Sequence, residues 1–171
     1  MTDLEHRAQV LRDFADLLTY PAADPIPVAD RCRRLVGKRA ARHLDAFVSR
    51  AARAAPHEME EAFSATFDLQ PACAPYVGHH LCGDSPQRGE FLARLAGVYR
   101  DDGFTDPSPG GELPDHLAVV LRYLAATPRG EARDALLQDG LRPALQKMLE
   151  ALEDPENAYR SVLEALREEV R

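Results

Sequence analysis

A chain of 171 residues with 45% hydrophobic and 29% charged residues can bury a core of its own and reads as one globular domain spanning 1–171. Its net charge of −7 argues against a nucleic acid partner, because binding phosphates needs a net basic face. Only 6% of it is aromatic and it holds no Trp, so its core must be built from Leu, Ala and Val, which favours packed helices over a sandwich.

In chain order, a first helix is expected over about 3–19, with Leu4, Leu11, Phe14, Leu17 and Leu18 inward and Tyr20-Pro21 as its stop. Pro21, Pro25 and Pro27 stiffen the connection to a helix carrying Val28, Leu35 and Val36. Gly37 interrupts it before a further helix with Leu44, Phe47 and Val48. After Pro56, residues Met59, Phe63 and Phe67 recur at fours to about Asp68. Residues 69–85 lose the helical pattern, with Pro71, Pro75, Gly78 and Gly83 among them.

Asp84 and Gln87 then suit a capping box, with Pro86 in the first turn of a helix bearing Phe91, Leu95 and Tyr99. Residues 103–111 are Pro- and Gly-rich and read as a disordered loop. A helix from about 112 to Thr127-Pro128 has Leu117, Val120, Leu121 and Leu124 on one face, with Pro114 in its first turn. The apolar seam from Leu137 to Leu152 should be split in two by Gly140 and Pro143, and Asp154-Pro155 should cap a last helix. No run alternates at period two. The expected architecture is all-α, a bundle of about seven to nine helices.

Little in the sequence promises catalysis. No phosphate-binding glycine loop and no nucleophile elbow occur. His57-Glu58 lacks a second His four residues after the first. Cys73, His79, His80 and Cys82 are the one group with the ligand types of a zinc site, but their spacing fits no standard finger. No cofactor is expected. Three cysteines are an odd number for a disulfide framework. The polar, acidic start Met1–His6 is no signal peptide, and no apolar run reaches the ~20 residues of a membrane span. A cytoplasmic location is the expectation that follows, without insertion into a membrane.

Four stretches stand out: Thr66-Phe67-Asp68-Leu69, Gly83-Asp84-Ser85-Pro86-Gln87-Arg88-Gly89, Tyr99-Arg100-Asp101-Asp102-Gly103-Phe104 and Glu112-Leu113-Pro114-Asp115-His116-Leu117. In this order they resemble the assembly chaperones of respiratory nitrate reductase, the NarJ-type or delta-subunit branch of the TorD-like redox-enzyme maturation chaperones. The resemblance runs from about Leu11 to about Leu166. It implies an all-helical TorD-like fold and a chaperone, not an enzyme.

The implied client is the apo catalytic subunit of a molybdoenzyme, held by its N-terminal segment until the molybdenum cofactor is inserted; the chaperone would not remain in the mature enzyme. A sulfoxide, selenate or chlorate reductase is the alternative client, and a small metalloprotein built on the Cys73 group the alternative class. By resemblance, Phe63, Thr66, Phe67, Pro114, Asp115 and His116 line the peptide pocket, with Asp115 and Glu112 meeting the basic residues of the client. Phe63 stands where the wider family has Trp.

Overall fold

The computed structural model describes residues 2–108 and 111–171. It is all-α: α1 (Asp3–Leu17), α2 (Ile26–Leu35), α3 (Lys38–Ala51), α4 (Pro56–Phe67), α5 (Val77–Cys82), α6 (Pro86–Asp101), α7 (Leu117–Ala126), α8 (Glu131–Ala135), a π-helical stretch (Leu136–Leu141), α9 (Arg142–Ala151) and α10 (Ala158–Glu169). Because α8, the π stretch and α9 run on without interruption, the described residues form nine helical rods. No strand occurs among them; one isolated antiparallel bridge joins Tyr76 to His116.

The helices pack by the stripes that the hydrophobic spacing marks. α3 lies along α10 and α2, and α1 along α7. Phe14, Leu44, Phe47, Leu121, Leu145, Tyr159 and Leu163 are wholly buried between them. α7 is buried on nearly all sides, with Leu117–Leu121 and Tyr123–Ala125 all inside. This explains its almost unbroken apolar sequence. α1 and α2 are also tied by an ion pair, Arg31 to the buried Asp13 at 2.6 Å.

Several local expectations are corrected. Leu4 is 44% exposed, not part of the inner face of α1, which ends at Leu17. The 69–85 stretch contains the short α5. The cap of α6 is Ser85, whose side chain makes no capping bond, so Asp84 and Gln87 form no box. The 137–152 seam does not split. Pro143 has no N–H to donate, and around Gly140 the helix widens into a π turn and continues. Asn157, not Asp154-Pro155, caps α10: its Oδ1 accepts from the N–H groups of Tyr159 and Arg160.

α7 begins at Leu117 with His116 as its cap, so Pro114 lies before the helix and not in its first turn. The reason is that residues 115–117 are drawn into extended pairing with 75–77: Val77 N–H donates to Asp115 O and Leu117 N–H to Pro75 O, both at 2.8 Å. Of the loop expected over 103–111, Pro109 and Gly110 lie outside the described residues.

Candidate functional site: an acidic, aromatic cleft

A cleft of about 440 Å³ opens between the end of α1, the end of α4, the 75–76 segment and the approach to α7. Phe63 and Phe67 form part of its wall, with ring centroids 5.1 Å apart, and Tyr20 packs edge-on against Phe63 at 5.8 Å. Both phenylalanines rest on the buried ring of Tyr159. They are thus core residues on one side and cleft wall on the other. The opposite wall is Tyr76 and His116, whose rings meet edge to face at 5.5 Å.

Charge in the cleft is predominantly negative. Asp16, Asp68 and Glu112 line it, and among the described residues none of the three is in an ion pair. Among the described residues the one cation lining it is Arg122, already engaged by Asp106, Ser108 and Thr19. The rim is apolar. Of the four exposed large hydrophobic residues among those described, Tyr20 lines the cleft, Leu69 (80% exposed) follows Asp68, and Leu113 (45% exposed) follows Glu112. Exposed leucines flanking a concave, acid-lined surface are a feature of binding surfaces more than of inert ones.

Of the residues expected at a site, Phe63, Phe67, Glu112 and His116 line this cleft; Thr66, Pro114 and Asp115 lie behind it. Asp115 is not displayed to solvent as the sequence led us to expect. It is fully buried. Its Oδ2 accepts from the backbone N–H of Gly78 at 3.1 Å and faces the Arg88 guanidinium at 3.4 Å. The approach is so close that a Cβ at position 78 would stand 2.7 Å from that oxygen and 2.8 Å from Phe91, which is why the helix carries Gly there. Arg88 in turn lies 5.3 Å over the ring of Tyr76, a cation–π contact. Asp115 therefore acts on the cleft through Arg88 and Tyr76.

Thr66 is buried as well: its hydroxyl donates to Ala62 O and accepts from the Asn157 side chain, clasping α4 to the start of α10. The carbonyl of Pro114 accepts from the Tyr99 hydroxyl at 2.8 Å. Tyr99 packs edge-on against Phe104 and tilted against Tyr123, so the 99–104 motif anchors the 112–117 corner. Sequence reasoning missed Arg88, Tyr76 and Tyr20 as cleft-forming residues. The motif that contains Arg88 gave a signal, but only the fold shows that it reaches Asp115.

His116 Nδ1 accepts from the Ala118 N–H at 3.2 Å, which leaves the proton of the neutral ring on Nε2. Burial lowers the pKa of this ring, against the smaller opposing pull of Glu112, and so favours the neutral form that the cap needs. Among the described residues no set of three or more His, Cys, Asp or Glu is arranged to hold a metal. His80 Nε2 lies 2.7 Å from Ala74 O, and burial pushes the Cys73 thiol up to about 12, away from the thiolate that zinc binds.

The family described as nitrate reductase delta subunit matches residues 36–165. The nitrate reductase molybdenum cofactor assembly chaperone NarJ of Escherichia coli strain K12, and that of Escherichia coli O157:H7, are each 31% identical over 111 residues, which is 65% of this chain and 45% of theirs. The chain spans about half the length of these curated relatives. No helix among the described residues is long and apolar enough to cross a membrane. The fold is similar to a crystal structure from Archaeoglobus fulgidus described as a redox enzyme maturation protein, with a TM-score of 0.64 over 98% of this chain and 93% of that one at 18% identity. With three quarters of its length inside the family match, the chain belongs to the nitrate reductase delta subunit family.

Proposed function

We propose that this protein is a cytoplasmic, non-catalytic chaperone of molybdoenzyme assembly, working as one helical domain. Its client is the apo catalytic subunit of a respiratory nitrate reductase. It holds that subunit by its N-terminal segment, supports insertion of the molybdenum cofactor and membrane assembly, and leaves before the enzyme is mature. The observation that carries this reading is the cleft itself: aromatic walls, exposed leucines next to two of its lining residues, and three carboxylates without ion-pair partners among the described residues. Such a surface complements a basic, amphipathic peptide, whose apolar side chains meet Phe63, Phe67 and Tyr76 while its cations meet Asp16, Asp68 and Glu112. Release follows if the cofactor-loaded subunit no longer offers that segment, since only differential affinity for the two client states can drive exchange.

The test is calorimetry with a synthetic peptide of the N-terminal segment of the nitrate reductase catalytic subunit from the same organism. One-to-one binding is expected, weakened by Glu112→Gln and by Asp68→Asn, neither of which touches the core. Peptides from sulfoxide, selenate and chlorate reductases form the comparison set. Tighter binding of one of those would move the client assignment, and no binding of any would refute the peptide-binding reading.

A further inference from the structure

Residues 31–53 hold eight Arg or Lys and a single acid, Asp45, in a chain of net charge −7. This stretch is the α2–α3 hairpin, turned at Gly37. Seven of its cations divide into two groups; the eighth, Arg53, lies past the end of α3 and donates to the Ser49 carbonyl. Arg31 pairs with Asp13, Arg33 with Asp30 and Asp45, and Arg50 with Glu156, so these hold the hairpin in place. Arg34, Lys38, Arg39 and Arg42 are exposed, and among the described residues none has a carboxylate within ion-pair distance. Lys38 and Arg42 are one turn apart on the outer face of α3, Arg39 lies beside them, and Arg34 is in the last turn of α2 just before the bend. The inner face of α3, with Ala40, Leu44 and Phe47, is buried.

We propose that this corner docks onto an anionic phospholipid surface. The charge of the rest of the molecule supports this: outside residues 31–53 the chain carries 13 Arg or Lys against 27 Asp or Glu and is repelled on balance, so attraction and orientation come from the same four side chains. The surface also lacks what a specific protein partner would use. No exposed large hydrophobic residue lies on α2 or α3, whereas tight protein interfaces are anchored by buried aromatic or aliphatic side chains. Four long, solvated cations with no apolar anchor suit a diffuse layer of phosphate headgroups. Binding of this kind is peripheral, reversible and screened by salt.

The experiment is co-sedimentation of the purified full chain with vesicles of phosphatidylcholine alone and of phosphatidylcholine with phosphatidylglycerol, without any client. Binding to the phosphatidylglycerol vesicles at low salt and none to phosphatidylcholine is expected. Replacing Arg34, Lys38, Arg39 and Arg42 together by Gln should weaken that binding at least about tenfold, each cation near an anionic surface being worth on the order of 1 kcal/mol. A control replaces four exposed arginines elsewhere, Arg7, Arg94, Arg100 and Arg129, by Gln. It changes net charge equally and should bind as the parent does. Absence of binding by the parent overturns the proposal. So does an equal loss in the control, which would mean net charge alone is read. If the parent ignores vesicles yet the four-Gln variant loses affinity for the folded client subunit, the surface meets an acidic protein and the lipid assignment is wrong. Circular dichroism melting confirms that both variants stay folded, as their exposed positions lead one to expect.

Discussion

The seam between α3 and α10 and the corner that shapes the cleft are held together in opposite ways. In the seam, Leu44, Phe47, Val162, Leu163 and Leu166 are fully buried and interchangeable in kind: any good packing of apolar side chains would serve. At the corner, single polar groups do the joining: Asp115 to Gly78 and Arg88, and Tyr99 to Pro114. One Asp115 oxygen is even buried without a hydrogen-bond partner. Apolar packing stabilises without fixing where a loop runs. Directional bonds fix it, and so they gather where the chain must leave a concave surface open.

The largest effect should come from the seam. Leu44→Ala or Leu163→Ala should cost about 2–5 kcal/mol, as burial and cavity both predict. Denaturant midpoints measure it, and any protein still folded should bind the client peptide as before. The corner should behave otherwise. Asp115→Ala leaves the Gly78 N–H and the Arg88 guanidinium without their acceptor, at a cost of about 1–3 kcal/mol. Here peptide affinity should fall too, because Tyr76 loses the support of Arg88. Asp115→Asn keeps an acceptor for Gly78 and should lose less stability. If Asp115→Ala proved as harmless as a surface substitution, the corner would not be held by this group.

How much was legible follows the same division. The seam could be read: the spacing of Leu44 and Phe47, or of Val162, Leu163 and Leu166, marks buried helix faces without reference to any other part of the chain. The boundaries governed by long-range bonds could not. Asp115 beside a Pro and a Gly-rich loop looks like an exposed acid at a helix start, and only the pairing of 115–117 with 75–77 takes it inside. Likewise nothing local distinguishes Asn157 from Asp154 as the cap of α10, and the bond that ties Asn157 to Thr66, 91 residues away, shows only in the fold. Of the cleft, Phe63, Phe67, Glu112 and His116 were within reach through the family resemblance of their motifs. Tyr20 and Tyr76 were not, because their place is set by tertiary contacts.

Between the two extremes lies the clasp at Asn157. It combines an N-cap with a bond to Thr66, so Asn157→Ala should cost about 0.5–2 kcal/mol. Asn157→Asp, which can still cap through its carboxylate but cannot donate to Thr66, separates the two contributions in thermal melts. Equal losses in both variants would place all of the effect in the bond to Thr66.

The smallest effect is the most specific to the corner. Burial lowers the pKa of His116, and also that of His80, whose ring is held by the Ala74 carbonyl. In the unfolded chain each returns to about 6.5. As pH falls through that value the unfolded state takes up protons first, while the folded state resists. The stability contributed by the neutral rings is therefore complete above about 6.5 and is lost as pH falls towards the lower folded value. Protonating His116 at Nδ1 also removes the acceptor for Ala118 N–H, so the start of α7 loosens in the same step. Glu112, Asp115 and Asp106 pull the ring pKa up and Arg122 pushes it down, but burial outweighs them. His116→Asn retains a side-chain oxygen that can cap α7 and has no titrating group. The melting temperature of the parent should hold steady from about pH 8 to 7 and decline below about 6.5. The variant should decline less over the same interval, with the residual slope coming from His80 and the carboxylates. A parallel decline in both proteins would show that the His116 ring does not couple protonation to this corner.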